Sequence, residues 1–248
     1  MVSPQFPRQR ISPSAARDGD HELYTAHEKG LILMGRQYIR FDEIEDVISS
    51  VELLALVSPL LRKQPSYWKW AIISVHNGMQ GAMVCVLGNT SGVGVLSKKS
   101  AKAVLAWHEA GGQGPYPEEW MANFTALLER CRTERPGEEP FKLTAAQERD
   151  IRRLNDHFRN SFAHFVPESW SIEKVDLPRI VGTAVECIQQ LMNRDEVIYR
   201  LSGNRQRRLE SGIKKIRRTL QSLAARDLSD LPTNPSAQDR PAGPPLKK

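Results

Sequence analysis

Hydrophobic positions along the 248-residue chain recur every three or four residues through most of its middle, and they alternate as a strand would almost nowhere. Ile44, Val47, Ile48, Val51, Leu54 and Leu61 form one such stripe, opened by Asp42 with Glu45 three residues on and running to about Lys63. Pro59 is expected to kink or break this helix near its end. A second helix, from about Ser66 to Leu87, is apolar nearly all round and is therefore the central one, with Gly78 and Gly81 marking close approach of a neighbour. The glycine-rich GNTSGVGVLS that follows lacks the lysine placement of a phosphate-cradling loop and reads as a turn. Ser97 caps a helix to about His108, and Pro117 suits the first turn of another, PEEWMANFTALLERC. Thr144 and Gln147 form a capping box for a helix carrying Ile151, Leu154, Phe158, Phe162 and Phe165. Pro178 opens a helix through Val185, Ile188, Leu191 and Ile198, with Gly203 as its stop, and a basic helix occupies 204–226. The pattern predicts an all-α fold, an antiparallel bundle of long helices.

The two ends differ from this middle. Residues 1–20 are rich in Pro, Ser and Arg and are expected to be a disordered arm, and 227–248 a disordered tail. Residues 21–203 form the helical domain, with LILMGRQYIRF after residue 30 left between a short hairpin and irregular packing. The N-terminus carries no apolar signal region, and no uninterrupted apolar run reaches the roughly 18 residues of a membrane span, so a cytoplasmic protein without a membrane partner is expected. Cys85, Cys131 and Cys187 are an odd number, widely spaced and without a CxxC pair, which argues against a disulfide framework and against a zinc site.

Net charge is +6 and the sequence pI about 9.3, a balance that suits a phosphate-bearing partner. Much of the excess sits on 204–226, where Arg205, Arg207, Arg208, Lys214, Lys215, Arg217, Arg218 and Arg226 face a single acid, Glu210. Leu209, Ile213, Ile216, Leu220 and Leu223 run through the same segment as a heptad-like stripe. One face of this helix can dock or dimerise while the other meets RNA phosphates.

The chemistry concentrates in LNDHFRNSFAHFVPESW, residues 154–170. Asn160 and His164 stand four apart on one helix face, Arg159 lies one residue earlier, and Pro167 should end the helix near Phe165. His164 then sits in the last turn, where the helix dipole favours a positive imidazolium, beside an arginine whose planar fork fits phosphate oxygens. A histidine moving protons and an arginine stabilising phosphorane charge suffice to cleave RNA. Spacing alone does not single out this pair, because Arg-x4-His also occurs at Arg152/His157.

RNSFAHF resembles the R-[polar]-x3-H motif of the HEPN superfamily, and FRNSFAHFVPESWSIE is similar to a bacterial subfamily in which Trp-Ser-Ile-Glu follows, here Trp170 to Glu173. Asn160 fills the polar second position, whereas Arg153 stands there in the other pair. The resemblance reaches from about Phe41 to Met192. It implies a metal-independent endoribonuclease needing no cofactor, of the kind found in toxin–antitoxin and phage-defence systems, with His164 as general acid/base, Arg159 as phosphate stabiliser and Asn160 as the orienting residue. It further implies a composite site at a homodimer axis, attack by the ribose 2′-OH, and a possible antitoxin or other protein partner. Glu52, His76, Asn77 and Gln80 are candidates to support that site from behind, with His76 and Gln80 placed to touch at i, i+4; ordinary hydrogen bonding within the core is the favoured explanation of them. Trp68, Trp70 and Trp107 read as core. Two other readings fit these residues: a non-catalytic HEPN module binding RNA or a protein, and a structural helical adaptor in which Arg159 and His164 only finish a helix.

Overall fold

The computed structural model describes residues 39–88, 92–133, 140–164 and 169–229. The expected arm, the 31–38 segment, Phe165, Pro167 and the tail from 230 lie outside them. Helix α1 spans Glu43–Val57, with the Asp42 carboxylate accepting the Glu45 N–H at 2.8 Å. Pro59 follows in a single 3-10 turn, Ser58–Leu60, so the helix stops where the proline ring forbids it to continue. Another 3-10 turn, Pro65–Tyr67, leads into α2, Trp68–Leu87. Among the described residues every regular element is a helix, apart from one isolated bridge between Leu96 and Met121.

Helix α2 is buried on nearly every side, with most of the other elements packed around it. It meets α1 antiparallel, at a distance set by its glycines. A Cβ at Gly81 would lie 2.8 Å from Val47 Cγ2, and one at Gly78 only 3.2 Å from Ile188 Cδ1 and 3.3 Å from Ser50 Cβ. The expected close approach is therefore present at both positions. The segment Pro65–Leu87 is long and apolar enough to cross a membrane by length and composition, but 72% of its most apolar window is buried inside the protein, as a central helix of a bundle must be. The thiols of Cys85 and Cys187 are pushed up to about 12 by burial, and Cys131 is buried too.

Beyond α2, helix α3 (Lys98–Glu109) starts at Ser97, whose hydroxyl accepts the Ser100 N–H as expected. The next helix starts later than Pro117 predicts. Residues 117–122 are extended: Ser97 N–H bonds to Trp120 O, Ala122 N–H to Val95 O, and Trp120 N–H to Ser100 Oγ. Those bonds occupy the backbone groups a helix would use, and α4 begins only at Phe124, capped by Asn123, and runs to Arg132.

Helix α5 (Ala145–Arg152) carries the complete Thr144/Gln147 capping box. It continues as a π-helical segment, Arg153–Arg159, and a last α turn, α6, Asn160–Ala163. Ile151, Leu154 and Phe158 of its apolar stripe are fully buried, and Phe162 leans on Trp170 with ring centroids 4.9 Å apart.

Helix α7 (Leu177–Met192) starts with its proline as predicted but ends at Asn193 instead of reaching Gly203. Arg194 is extended and its Nε donates to Glu196, so only the short α8, Asp195–Ile198, follows. Gly203 is then the first residue of α9, Gly203–Ser229, and not a stop signal.

Along α9, Leu209, Ile213, Ile216 and Leu220 are buried and Leu223 half-buried, packed within the chain against α1 and α7. Arg208 clamps α9 to α1: its Nε and Nη2 donate to Glu52 at 2.8 and 2.7 Å, and Nη2 and Nη1 to Glu45 at 2.8 and 3.1 Å. Glu52 first and Glu45 second hold this guanidinium more firmly charged than an ordinary arginine. The pairing order makes α9 run parallel to α1, with Gly212 against Val51. Trp68 is core as read, whereas Trp70 is half-exposed with Lys69 beside its ring, and Trp107 is half-buried.

Gly212 supplies a stability test. A Cβ there would lie 2.7 Å from Cγ1 of Val51, a stiff, buried β-branched side chain. Gly212→Ala is expected to lower stability by about 1–3 kcal/mol through overpacking, despite the roughly 1 kcal/mol helix-propensity gain. Denaturant unfolding of Gly212→Ala, and of the same change with Val51→Ala, which should recover most of the loss, checks it.

Candidate functional site

The π segment gathers polar groups along one side of the 145–164 helix. In a π turn the chain carries an extra residue per turn, which re-aims the side chains beyond it. Asn155 faces α2. There the buried His76 (4% exposed) approaches Asn155 Oδ1 with its Nε2 at 2.9 Å, while its ring stacks on Phe124 with centroids 4.5 Å apart and 25° between planes. Asn155 Nδ2 in turn donates to Asp156 Oδ1 at 2.6 Å. With the amide donating outward, its oxygen must receive a proton from His76, which sets the imidazole as Nε2–H. Burial pushes His76 down to about 4; the hydrogen bond to Asn155 works the other way, and the positive charge of Arg159 adds to the drop.

At the outer end, Arg159 Nη1 donates to Asn160 Oδ1 at 3.1 Å and meets His164 Nε2 at 3.3 Å. An arginine can only donate, so this second contact requires an unprotonated Nε2 with the ring proton on Nδ1. Arg159 is half-buried, and Asn160 and His164 are exposed. The expected direct touch between Asn160 and His164 is replaced by a bridge through Arg159. Ala163 is the last helical residue and the His164 backbone bends out (φ −113°, ψ 55°), so the i, i+4 rule no longer governs its ring.

The second Arg-x4-His pair is arranged differently. Arg152 commits its guanidinium to Glu148, through Nε at 3.1 Å and Nη2 at 2.8 Å, and the His157 ring lies edge-on to Trp170 and Phe158. Geometry distinguishes the two pairs where spacing could not.

Three of the four candidate supporting residues bond or point elsewhere. Glu52 belongs to the Arg208 clamp on α1, and Arg208 holds its carboxyl below the usual range. Asn77 donates to Asp46 and, at 2.9 Å, to Ser50 Oγ, tying α2 to α1 on the side away from Asn155. Gln80 is half-buried and makes no bond to His76, whose Nε2 is taken by Asn155. Asn155, Asp156 and Phe124 escaped the sequence reading. Asn155 carried a signal, a polar residue four before Arg159 on the same helix face, but nothing local tied it to His76.

The basic helix also divides. Arg205 pairs with Asp42 at 2.8 Å and Glu45 at 3.4 Å, Arg208 is clamped, and Arg217 donates to Gln189 at 2.6 Å. Arg207, Lys214, Lys215 and Arg218 are exposed, without side-chain partners among the described residues. The Arg226 side chain lies outside the described set. Among the described residues no group of three or more His, Cys, Asp or Glu side chains is placed to hold a metal ion. No family model, characterised protein or solved structure matches the chain.

His76 predicts a pH effect. Its folded value lies below the ordinary 6.5, so the stability tied to its neutral form is full above about 6.5 and is lost as pH falls through about 4. Between neutral pH and pH 4 the wild type should lose about 3 kcal/mol more than His76→Gln, which can keep a bond to Asn155 without titrating. Urea unfolding of both proteins across that range measures the difference.

Proposed function

We propose that the chain is a HEPN-type endoribonuclease that cleaves RNA by attack of a ribose 2′-OH, with no metal required. The observation that carries this reading is the contact among Arg159, Asn160 and His164 at an exposed helix end, in a chain where the competing Arg152/His157 pair is tied up by Glu148. In the free protein Arg159 donates toward the His164 lone pair. A phosphate entering the site offers the guanidinium a better, charged acceptor. Arg159 then turns to a non-bridging oxygen, and Nε2 becomes available to take the proton of the 2′-OH. The 2′-oxygen bonds to phosphorus, the bond to the 5′-oxygen breaks, and that oxygen leaves with a proton. The products are a 2′,3′-cyclic phosphate and a 5′-hydroxyl. Asn160 holds the guanidinium by its Oδ1 while this happens.

One copy supplies a single such histidine, and the reaction needs both a base and an acid. A symmetric homodimer placing two of these helix ends across one cleft meets that need. The runner-up is a non-catalytic RNA-binding module, favoured by the exposed cations of α9. A role in phage defence or as a toxin restrained by an antitoxin belongs to the same reading as its biological setting.

Purified protein should cut RNA in excess EDTA and leave cyclic phosphate ends. His164→Ala should slow cutting by about 10²-fold or more, the usual scale of general acid–base help, with Arg152→Ala and His157→Ala having far smaller effects. Equal loss from both pairs, or no cutting with intact RNA binding, removes the assignment. Light scattering should give a dimer at micromolar concentration; a monomer that retains activity removes the composite site.

A further inference from the structure

The seam where α9 lies along α1 is segregated by charge. Its first stretch is self-neutralised: Asp42, Glu45 and Glu52 of α1 take up Arg205 and Arg208. After Glu52 the α1 side carries no acid as far as Gln64, and α9 carries none between Glu210 and Asp227. Two open clefts of about 410 Å³ each follow one another along this seam. Leu56, Arg207, Ser211 and Lys215 help line the first, whose near end also holds the clamped Glu52 and Arg208, and Arg62, Lys63, Arg218 and Ser222 line the second. Arg62 and Lys63 come from the turn after α1, a segment that the pattern of the basic helix did not bring into view. All five cations are exposed and make no side-chain pair among the described residues.

We infer that this furrow is an RNA-backbone groove, in which Arg62 and Lys63 act together with Arg207, Lys215 and Arg218, and that Arg205, Arg208 and Arg217 serve the fold instead. The inference rests on the ribonuclease reading for its choice of RNA and extends that reading to how substrate is held. From Arg207 to Ser222 the furrow runs for roughly 22 Å at 1.5 Å per residue, too long and too open for a small anion. Its cations line the two walls of a concave helix–helix seam, a shape that takes a strand of phosphates better than a flat lipid surface. It has no aromatic side chain to stack on a base, so its contacts are with phosphate and are indifferent to sequence.

The test uses the full chain and a fluorescent 2′-O-methyl RNA of roughly 20 nucleotides, which lacks the attacking hydroxyl and so reports binding alone. Arg62→Glu with Lys63→Glu should weaken binding about tenfold or more and flatten the dependence of log Kd on log salt by about 1 to 2, as loss of two phosphate contacts requires. Lys215→Glu with Arg218→Glu should act alike, while Lys98→Glu with Lys102→Glu, equally exposed on α3, should leave Kd within about twofold. Circular dichroism and Tm should match wild type, because none of these side chains holds another. A Kd unmoved at every salt concentration in the Arg62/Lys63 variant overturns the groove, even if the wild type cuts RNA. Equal weakening by the α3 control reduces it to bulk charge and overturns it too. Sedimentation with phosphatidylserine vesicles that depends on Arg62 and Lys63, with RNA affinity untouched, overturns RNA in favour of lipid headgroups. Loss of RNA binding in the variants when no form of the protein cuts RNA keeps the groove and removes the reaction.

Discussion

A helix that is apolar nearly all round has to be covered on every side, and α2 imposes that requirement on the whole chain. Covering it brings α1, α4, the 145–164 helix and α7 into contact with one cylinder. The buried His76 helps decide which neighbour goes where, since a buried polar side chain without a partner costs roughly 1–3 kcal/mol, and Asn155 of the π segment supplies its partner. The exposed Asn77 ties α2 to α1 through Asp46 and Ser50. Gly78 and Gly81 allow the backbones close enough for those bonds to form.

The π segment is the link between that core and the exposed chemistry. Asn155 faces inward to His76, and Arg159, one helical turn on, extends toward the surface and His164. The burial of His76 and, to a lesser degree, the positive charge of Arg159 both favour a neutral imidazole at the inner end. An outer histidine held with its Nε2 unprotonated is thus backed by an inner one that stays uncharged near neutral pH.

Charge on α9 follows a comparable division. Individual surface ion pairs contribute little, but a guanidinium gripped by two carboxylates on a neighbouring helix sets the register of that helix. Arg208 does this between Glu45 and Glu52, and Gly212 lets the two helices touch at Val51. The stripe of leucines and isoleucines with coiled-coil-like spacing is buried inside the chain. What remains outward is a row of cations with no internal function.

Most helix positions, the central place of α2, the cap residues Asp42, Ser97 and Thr144, and the nearness of Arg159 to His164 were legible in the sequence. Each depends on residues within a few positions of one another, and helical periodicity and capping are local physics. Other features depended on contacts across the chain. Glu52 and Arg208 are 156 residues apart and His76 and Asn155 are 79 apart, and in a sequence such residues look like solvated charges or idle core polars. Residues 117–122 look helical until the strand-like bonds to Val95 and Ser97 claim their backbone. Gly203 looks like a stop until Arg194 ends α7 early and leaves that glycine to begin α9. Periodicity tells a segment which face to bury, but only packing decides which partner satisfies each polar group, and that choice placed His76 behind the site and Arg62 beside the basic helix.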